Sequence, residues 1–526
     1  MKFPWHPDKI SSNNMALLKN FLDGEWVKAK SVKKIVSPLT GESIILMPDT
    51  KEDELKPFID SLAKCPKYGL HNPLRNVERY RMYGDVCRNA AQFLRGKGGR
   101  AYFTKLINLV MPKGLDQCAG EVDVTASFLE TFSGNNVRNL AKGVTTPGNH
   151  DGEQSINYRW PHGPVAIITP FNFPLEIMAL QLMGALFMGN KPILKQSSTT
   201  SIVAEAFVRL LLQCGMPKDD MLLIHCSGSV MEKVVTWGMP NPVVRLTQFT
   251  GGSDVAHRLS QLTGGRCKPE DAGFDWKILG PPPNIPPSQK TIEGVALNCD
   301  KDAYAASGQK CSAQSILFID AWNWGPGRTG GLIERVRNLA AKRNLGDLSV
   351  GPVLTWDNQQ IQEHIDKLLK IEGAQLLFGG KLLASAHKIP SCCGSYEPTA
   401  IYVPLKEIIP NFKLVTTEVF GPVQIVTDWE RQRKDDIDLI LEILEKLENH
   451  LTAGVVSNDP EFLNYVLGRT INGTTYAGIR ARTTGAPEWH FFGPAGHPAG
   501  AGIGTPEAII NTWSQNRTII YDTKEF

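Results

Sequence analysis

No apolar run in this chain reaches the roughly 18 residues that a membrane-spanning helix needs. Its greasiest stretch, Leu175 to Met188, is interrupted by Glu176, Gln181 and Gly184 and reads as a buried helix. Charge of one sign is lacking too. The 56 basic residues face 53 acidic ones, a net +3 spread along the chain, which gives no support for nucleic acid or another polyanion as partner. Cysteine is sparse, 10 in 526 residues, with no CxxC spacing and no His/Cys set for zinc. That argues against a disulfide framework or a metal site and fits a reducing compartment. Met1 to Asn20 has neither a secretory apolar core nor an Arg/Ser-rich amphipathic pattern, so the chain reads as cytosolic or as lacking a transit segment. The dinucleotide fingerprint G-x-G-x-x-G is absent, and there is no internal repeat.

What is present is an alternation. Pro164 to Thr169 is a short apolar run that suits a buried parallel strand, and Leu175 to Met188 follows it with helical spacing. Strands are expected at Ile193 to Lys195, Met221 to His225 and Arg245 to Thr250. Helices are expected at Thr200 to Cys214, Met231 to Trp237 and from Ser253 to about Leu262. Lys277 to Thr291 holds five prolines and reads as a loop or linker. A second alternating block follows, with strands at Ser315 to Ile319, Ala453 to Ser457 and Gly473 to Tyr476, and helices at Leu332 to Lys342 and Gln359 to Ile371. Gly493 to Gly504 reads as a structured surface loop. The fold class is α/β, with two domains built on parallel sheets.

Three short stretches carry candidate chemistry. Ser307-Gly308-Gln309-Lys310-Cys311-Ser312-Ala313 sets one thiol among small side chains, with a cation directly before it that favours the thiolate. Pro170-Phe171-Asn172-Phe173-Pro174 follows the first strand, where α/β sheets bind ligands, and stiffens a turn around an amide donor suited to an oxyanion. Thr250-Gly251-Gly252-Ser253 lies between a strand and a helix, where backbone amides can meet a pyrophosphate. Glu270 and Glu418 are lone acids, and each alone reads as a solvated surface group.

Taken in order, PFNFP, Leu194-Lys195, Phe249-Thr250-Gly251-Gly252, Glu270, Gly308-Gln309-Lys310-Cys311 and Glu418-Val419-Phe420-Gly421-Pro422 resemble the NAD(P)-dependent aldehyde dehydrogenase superfamily over about residues 20 to 520. Glu270-Asp271-Ala272-Gly273-Phe274-Asp275-Trp276-Lys277 is similar to the plant-type Δ1-pyrroline-5-carboxylate dehydrogenases within it. The resemblance implies Cys311 as nucleophile, Glu270 as the base that activates water, and Asn172 as the oxyanion donor. It implies NAD as cofactor, held by Thr169, Pro170, Phe171, Asn172, Lys195, Ser197, Ser198, Thr250, Gly251, Gly252, Val255, Glu418 and Phe420. Substrate would meet Lys310 and Ser312, with a carboxylate nest at the amides of Ala495 and Gly496. It also implies a Rossmann-like cofactor domain over residues 1–137 and 160–285, a catalytic domain over 286–504, and a small oligomerisation hairpin over 138–159 with 505–526 that would build a homo-oligomer. The mitochondrial matrix is the expected compartment.

Three departures from the family pattern stand out. Gly252 replaces a common Ser, and Ser197 or Ser198 stands where an acid commonly grips the adenosine ribose. Pro269 precedes the base and is expected to alter the loop that delivers it. The expected activity is oxidation of the small-molecule aldehyde L-glutamate γ-semialdehyde to L-glutamate. Its alternatives are another semialdehyde, such as succinic semialdehyde, or a catalytically silent cofactor-binding protein. A cysteine hydrolase ranks below these, because no His accompanies Cys311 in its motif.

Overall fold

Apolar runs such as Pro-Val-Ala-Ile-Ile-Thr have little polar surface to show on either face, so they settle inside a sheet covered on both sides. In the computed structural model, which describes residues 1–525 apart from 272, 326–330, 385, 488–489 and 496–499, they do so twice. The first seven-stranded sheet runs, in spatial order, Cys267–Glu270, Leu246–Thr250, Pro164–Thr169, Lys191–Gln196, Leu222–Leu223, Asn20–Leu22 and Glu25–Val27. Its first five strands are parallel and its last two antiparallel. The second runs Gln375–Phe378, Thr399–Tyr402, Val423–Trp429, Gln314–Asp320, Asp275–Leu279, Thr452–Val456 and Thr474–Ala477, parallel except at its first edge.

Helix Glu176–Phe187 is buried at every position. A helix apolar all round needs cover on all sides. Neighbours supply it: helix Leu115–Thr131 packs on it, and Gly184 lets the Trp513 ring approach so closely that a methyl group there would lie 3.0 Å from it. The expected helix at Thr200 to Cys214 forms as Ser201–Gln213, and that at Gln359 to Ile371 as Asn358–Leu368. The segments expected to serve assembly pair with each other: Ser514–Asp522 runs antiparallel to Glu153–Pro161, which pairs with Val144–Pro147.

Two expectations need correcting. Lys277 to Thr291 is not a loop throughout. Residues 277–279 complete the central strand Asp275–Leu279, and helix Gln289–Tyr304 begins before the segment ends. The prolines lie between these elements and drew attention from the buried Trp-Lys-Ile-Leu beside them. The chain crosses from the first sheet to the second between Cys267–Glu270 and Asp275–Leu279. Glu270, in turn, ends a strand rather than riding on a loop. Pro269 is tolerated there because Cys267–Glu270 is an edge strand, where a missing N–H breaks no outer ladder. The Pro269 carbonyl accepts from Ala501 N–H at 2.9 Å.

Among the described residues no helix is long and apolar enough to cross a membrane, and no group of three His, Cys, Asp or Glu side chains could hold a metal ion. All ten cysteines are free.

Candidate active site

The Cys311 segment leaves helix Gln289–Tyr304 through three successive left-handed residues, Ala306 (φ 54°), Ser307 (φ 56°) and Gly308 (φ 69°). Such a run is strained for side-chain-bearing residues and persists only when braced. The braces are visible. Gly351 N–H donates to Ser307 Oγ at 2.7 Å, Leu354 N–H to Gln309 Oε1 at 2.8 Å, and Gln309 Nε2 to the Pro352 carbonyl at 2.9 Å. Gly308 must be glycine: a Cβ there would lie 2.1 Å from the Gly421 carbonyl. Gly273 serves the same end, since a Cβ on it would lie 2.3 Å from the Cys311 carbonyl. The Gly273 and Cys311 backbones touch because one residue has no side chain.

Cys311 lines two cavities. One, of about 670 Å³, is lined by Pro170, Phe171, Asn172, Thr250, Gly251, Gly252, Val255, Glu270, Cys311, Glu418 and Phe420 among the residues expected from the sequence. The other, of about 590 Å³, is lined by Lys310, Cys311 and Ser312, with Phe173, Arg482, Thr484, Gly485, Ala486 and Phe492. Cys311 lines both.

Glu270 is 1% exposed; its Oε2 accepts from Thr250 Oγ1 at 3.4 Å, and its Oε1 has no partner. Burial pushes its carboxyl up to about 7, against the weaker opposing pull of the neighbouring Cys311 and Thr250 side chains. Thr250 is itself held by Gln181, whose Nε2 donates to Thr250 Oγ1 at 2.6 Å. Asn172 is buried, and its Oδ1 has no partner either.

The electrostatics of the thiol reverse the sequence expectation. Burial first, and then the charges of Glu270 and Asp275, push Cys311 well above the usual cysteine range. The Lys310 ammonium turns away, donating to the Lys301 carbonyl and to Thr484 Oγ1, each at 3.1 Å. Burial lowers that lysine to about 8. Neighbours in sequence point to different sides of a chain, and here they point into different surroundings. The resting group is a thiol beside a buried carboxylate.

Glu418 accepts from Gly273 N–H at 3.4 Å, and burial raises its carboxyl well above the ordinary range. Phe420 (φ 49°) meets Phe171 edge to face at 5.9 Å between centroids. Gly251 and Gly252 lead into helix Ser253–Leu262, whose first residue has a buried hydroxyl without a partner. Unpaired amides at a helix start, an orphan hydroxyl and a side-chain-free approach suit a phosphate group.

Thr169, Lys195, Ser197 and Ser198 do not line either cavity. Thr169 donates its hydroxyl to Gln196 Oε1, and Gln196 Nε2 in turn braces the Pro170 carbonyl at 2.7 Å. Lys195, Ser197 and Ser198 are half-buried at the carboxyl end of the adjacent strand Lys191–Gln196, and burial lowers Lys195. The N–H of Ala495, expected in a carboxylate nest, donates to the His450 carbonyl at 3.3 Å. Gly496 lies outside the described residues. The cavity wall on that side comes instead from Thr484, Gly485 and Ala486, anchored by Thr483 Oγ1 donating to the Ser312 carbonyl at 2.7 Å. The sequence reading also missed Thr355, Trp356, Thr416, Thr417 and Asn449 on the first cavity, which no local motif flags.

The aldehyde dehydrogenase family model matches residues 26–518. Over 519 residues, 98% of this chain and 90% of the relative, the sequence is 50% identical to delta-1-pyrroline-5-carboxylate dehydrogenase 12A1, mitochondrial, of Arabidopsis thaliana. It is 52% identical over 517 residues, 98% of this chain and 91% of the relative, to a probable aldehyde dehydrogenase of Linum usitatissimum. Among solved structures, an NAD-dependent aldehyde dehydrogenase from Sinorhizobium meliloti superposes with a TM-score of 0.81 at 20% identity, covering 98% of this chain and 96% of that one. At that identity the likeness speaks for the fold.

Proposed function

The chain belongs to the aldehyde dehydrogenase family, and from that premise we propose that it oxidises L-glutamate γ-semialdehyde to L-glutamate with NAD as acceptor. One observation carries the chemistry: Cys311 lines both cavities, so a sulfur adduct formed from one side is open to a partner on the other. The substrate choice rests on the 50% identity to the Arabidopsis relative so named. The semialdehyde equilibrates with cyclic Δ1-pyrroline-5-carboxylate, and only the open form offers a carbonyl to a thiol.

The residues divide the work. Cys311 adds to the aldehyde carbon while its proton passes to Glu270, the buried carboxylate that lines the same cavity. The Asn172 amide and the Cys311 N–H hold the oxygen as it gains charge. Gly251, Gly252 and Glu418, which line the first cavity, would hold NAD, and the cofactor when bound would supply the hydride acceptor that the adduct carbon needs. A thioester remains on Cys311. Glu270 passes that proton to solvent and then draws one from water; the hydroxide so formed adds to the thioester carbon, the C–S bond breaks, the acid leaves and the Cys311 thiolate is reprotonated. Sulfur suits both halves, attacking well as thiolate and leaving well from the thioester. The Arabidopsis relative is named mitochondrial, and we assign this chain to the same compartment; strands Val144–Pro147 and Ser514–Asp522 are the surfaces we assign to oligomer assembly.

The test is a panel of aldehydes against NAD and NADP with purified protein. NADH should form with the pyrroline equilibrium mixture at a kcat/KM above those of succinic semialdehyde and simple aliphatic aldehydes. Good turnover of aliphatic aldehydes with none of the pyrroline rejects the substrate. Asn172→Ala should lower kcat by about 10²- to 10³-fold, as loss of one oxyanion donor does elsewhere, with NAD affinity unchanged. Stopped-flow NADH formation measures it; a wild-type rate removes Asn172 from the mechanism.

A further inference from the structure

We propose that Lys113, buried as an ion pair with Glu121, is the positioning residue that sets the backbone of Asn172 and thereby aims its amide at the aldehyde oxygen; this rests on the role given to Asn172 above. Lys113 belongs to neither sheet. It lies in the turn between helices Lys97–Val110 and Leu115–Thr131, held there by Asn108 Nδ2 and Cys118 Sγ, which donate to its carbonyl at 2.8 and 3.4 Å. Its side chain and that of Glu121 are each 0% exposed.

Among the described residues, every side-chain hydrogen bond of the pair falls on the turn that carries Asn172, or on its partner. Lys113 Nζ donates to Glu121 Oε2 at 2.7 Å and to the Asn172 carbonyl at 2.9 Å, and sits 4.0 Å from the centre of the Phe173 ring. Glu121 Oε1 accepts from Leu175 N–H at 2.7 Å and Glu176 N–H at 3.2 Å. Residues 172, 173, 175 and 176 are thus gripped from one point, at the start of helix Glu176–Phe187.

A buried ion pair is a weak device for stability, because the cost of removing two charges from water offsets their attraction, and an apolar pair of the same volume often does as well. What an apolar pair does not provide is three directed hydrogen bonds to the backbone of one turn. The need for them is specific: the Asn172 side-chain oxygen has no hydrogen-bond partner, so no bond through that atom orients the amide. Its aim depends on where the main chain holds Cα and Cβ. A displacement of about 1 Å at a reacting centre is enough to cost on the order of 10²-fold in rate.

The experiment is a double-variant cycle on the full-length enzyme. Lys113→Met alone would strand a buried carboxylate, so the primary variant is Lys113→Met with Glu121→Met; Glu121→Gln is the second, covering the case in which the first does not fold. Each is made with Asn172 and with Asn172→Ala. Expected are a fall of about tenfold or more in kcat/KM for the aldehyde with Asn172 present, unchanged NAD affinity by fluorescence titration, and less than about a twofold further loss in the Asn172→Ala background. Full additivity of the losses, or a wild-type kcat/KM in the variant that folds, overturns the proposal. A wild-type rate for Asn172→Ala itself overturns the reading of Asn172 and the clamp with it.

Discussion

Cys311→Ala loses turnover by at least about three orders of magnitude and keeps its affinity for NAD. The size of the loss follows from what surrounds the sulfur. No second thiol can substitute: Cys299 is fully buried against Lys277, with Sγ 3.9 Å from its Nζ, and Cys118 is committed to the Lys113 carbonyl. Ser312 is occupied by Thr484 Oγ1 at 3.1 Å. Water could attack the carbonyl directly, but a hydrated aldehyde would give up its hydride without the oxyanion placed over the Cys311 N–H. Affinity for NAD is retained because the glycine pair, Thr250 and the start of helix Ser253–Leu262 are untouched. Cys311→Ser separates two ideas. The hydroxyl keeps the size but not the leaving-group ability of sulfur, so its residual rate should stay close to that of the alanine variant. Steady-state NADH formation and a fluorescence titration measure both quantities. An alanine variant retaining above about a hundredth of the wild-type rate would place the nucleophile elsewhere.

The parts of this site legible in the sequence are those whose chemistry is local. A Gly-Gln-Lys-Cys-Ser run around the thiol, a stiff Pro-Phe-Asn-Phe-Pro after an apolar strand and a glycine pair before a helix each carry their structural reason within a few residues. All three reach the same two cavities. What was not legible depends on partners brought together by the fold. Lys113 reaches an asparagine 59 positions away, and nothing around it in the chain marks it from other lysines. The Lys310 cation was placed beside the sulfur because it precedes it, yet its side chain ends on Thr484, 174 positions on. The charge that bears on Cys311 comes from acids on other elements. Pro269 and the Pro281 to Pro287 cluster were read as loop for their composition, while edge position made the first compatible with a strand. The His450 carbonyl reaches the Ala495 amide, a pairing 45 residues apart that composition cannot announce.

Glu270→Gln should form one equivalent of NADH per site in a fast phase and then stall, with kcat down by about 10²- to 10⁴-fold. The amide can still accept a hydrogen bond from Thr250, so the pocket is kept, but it cannot take a proton from water. Addition and oxidation need a base only to start, and at raised pH solvent can remove the thiol proton; hydrolysis needs its base at the step itself, to activate the attacking water. The wild-type pH profile should show the same group. With the Glu270 carboxyl pushed up to about 7, and Cys311, Asp271, Asp275 and Glu418 around it, kcat should rise with pH through that value, and the variant should lose that limb. Stability offers a check independent of turnover. The folded protein binds the Glu270 proton more tightly than the unfolded chain, where the value is near 4.5, so Glu270's contribution is most favourable below that pH and worsens as pH rises from there towards about 7. Glu270→Gln removes this dependence. The Tm of the variant relative to wild type should therefore be higher at pH 8 than at pH 4. A flat difference, together with normal steady-state rates, would mean that the buried carboxyl is neither strained by its surroundings nor used as the base.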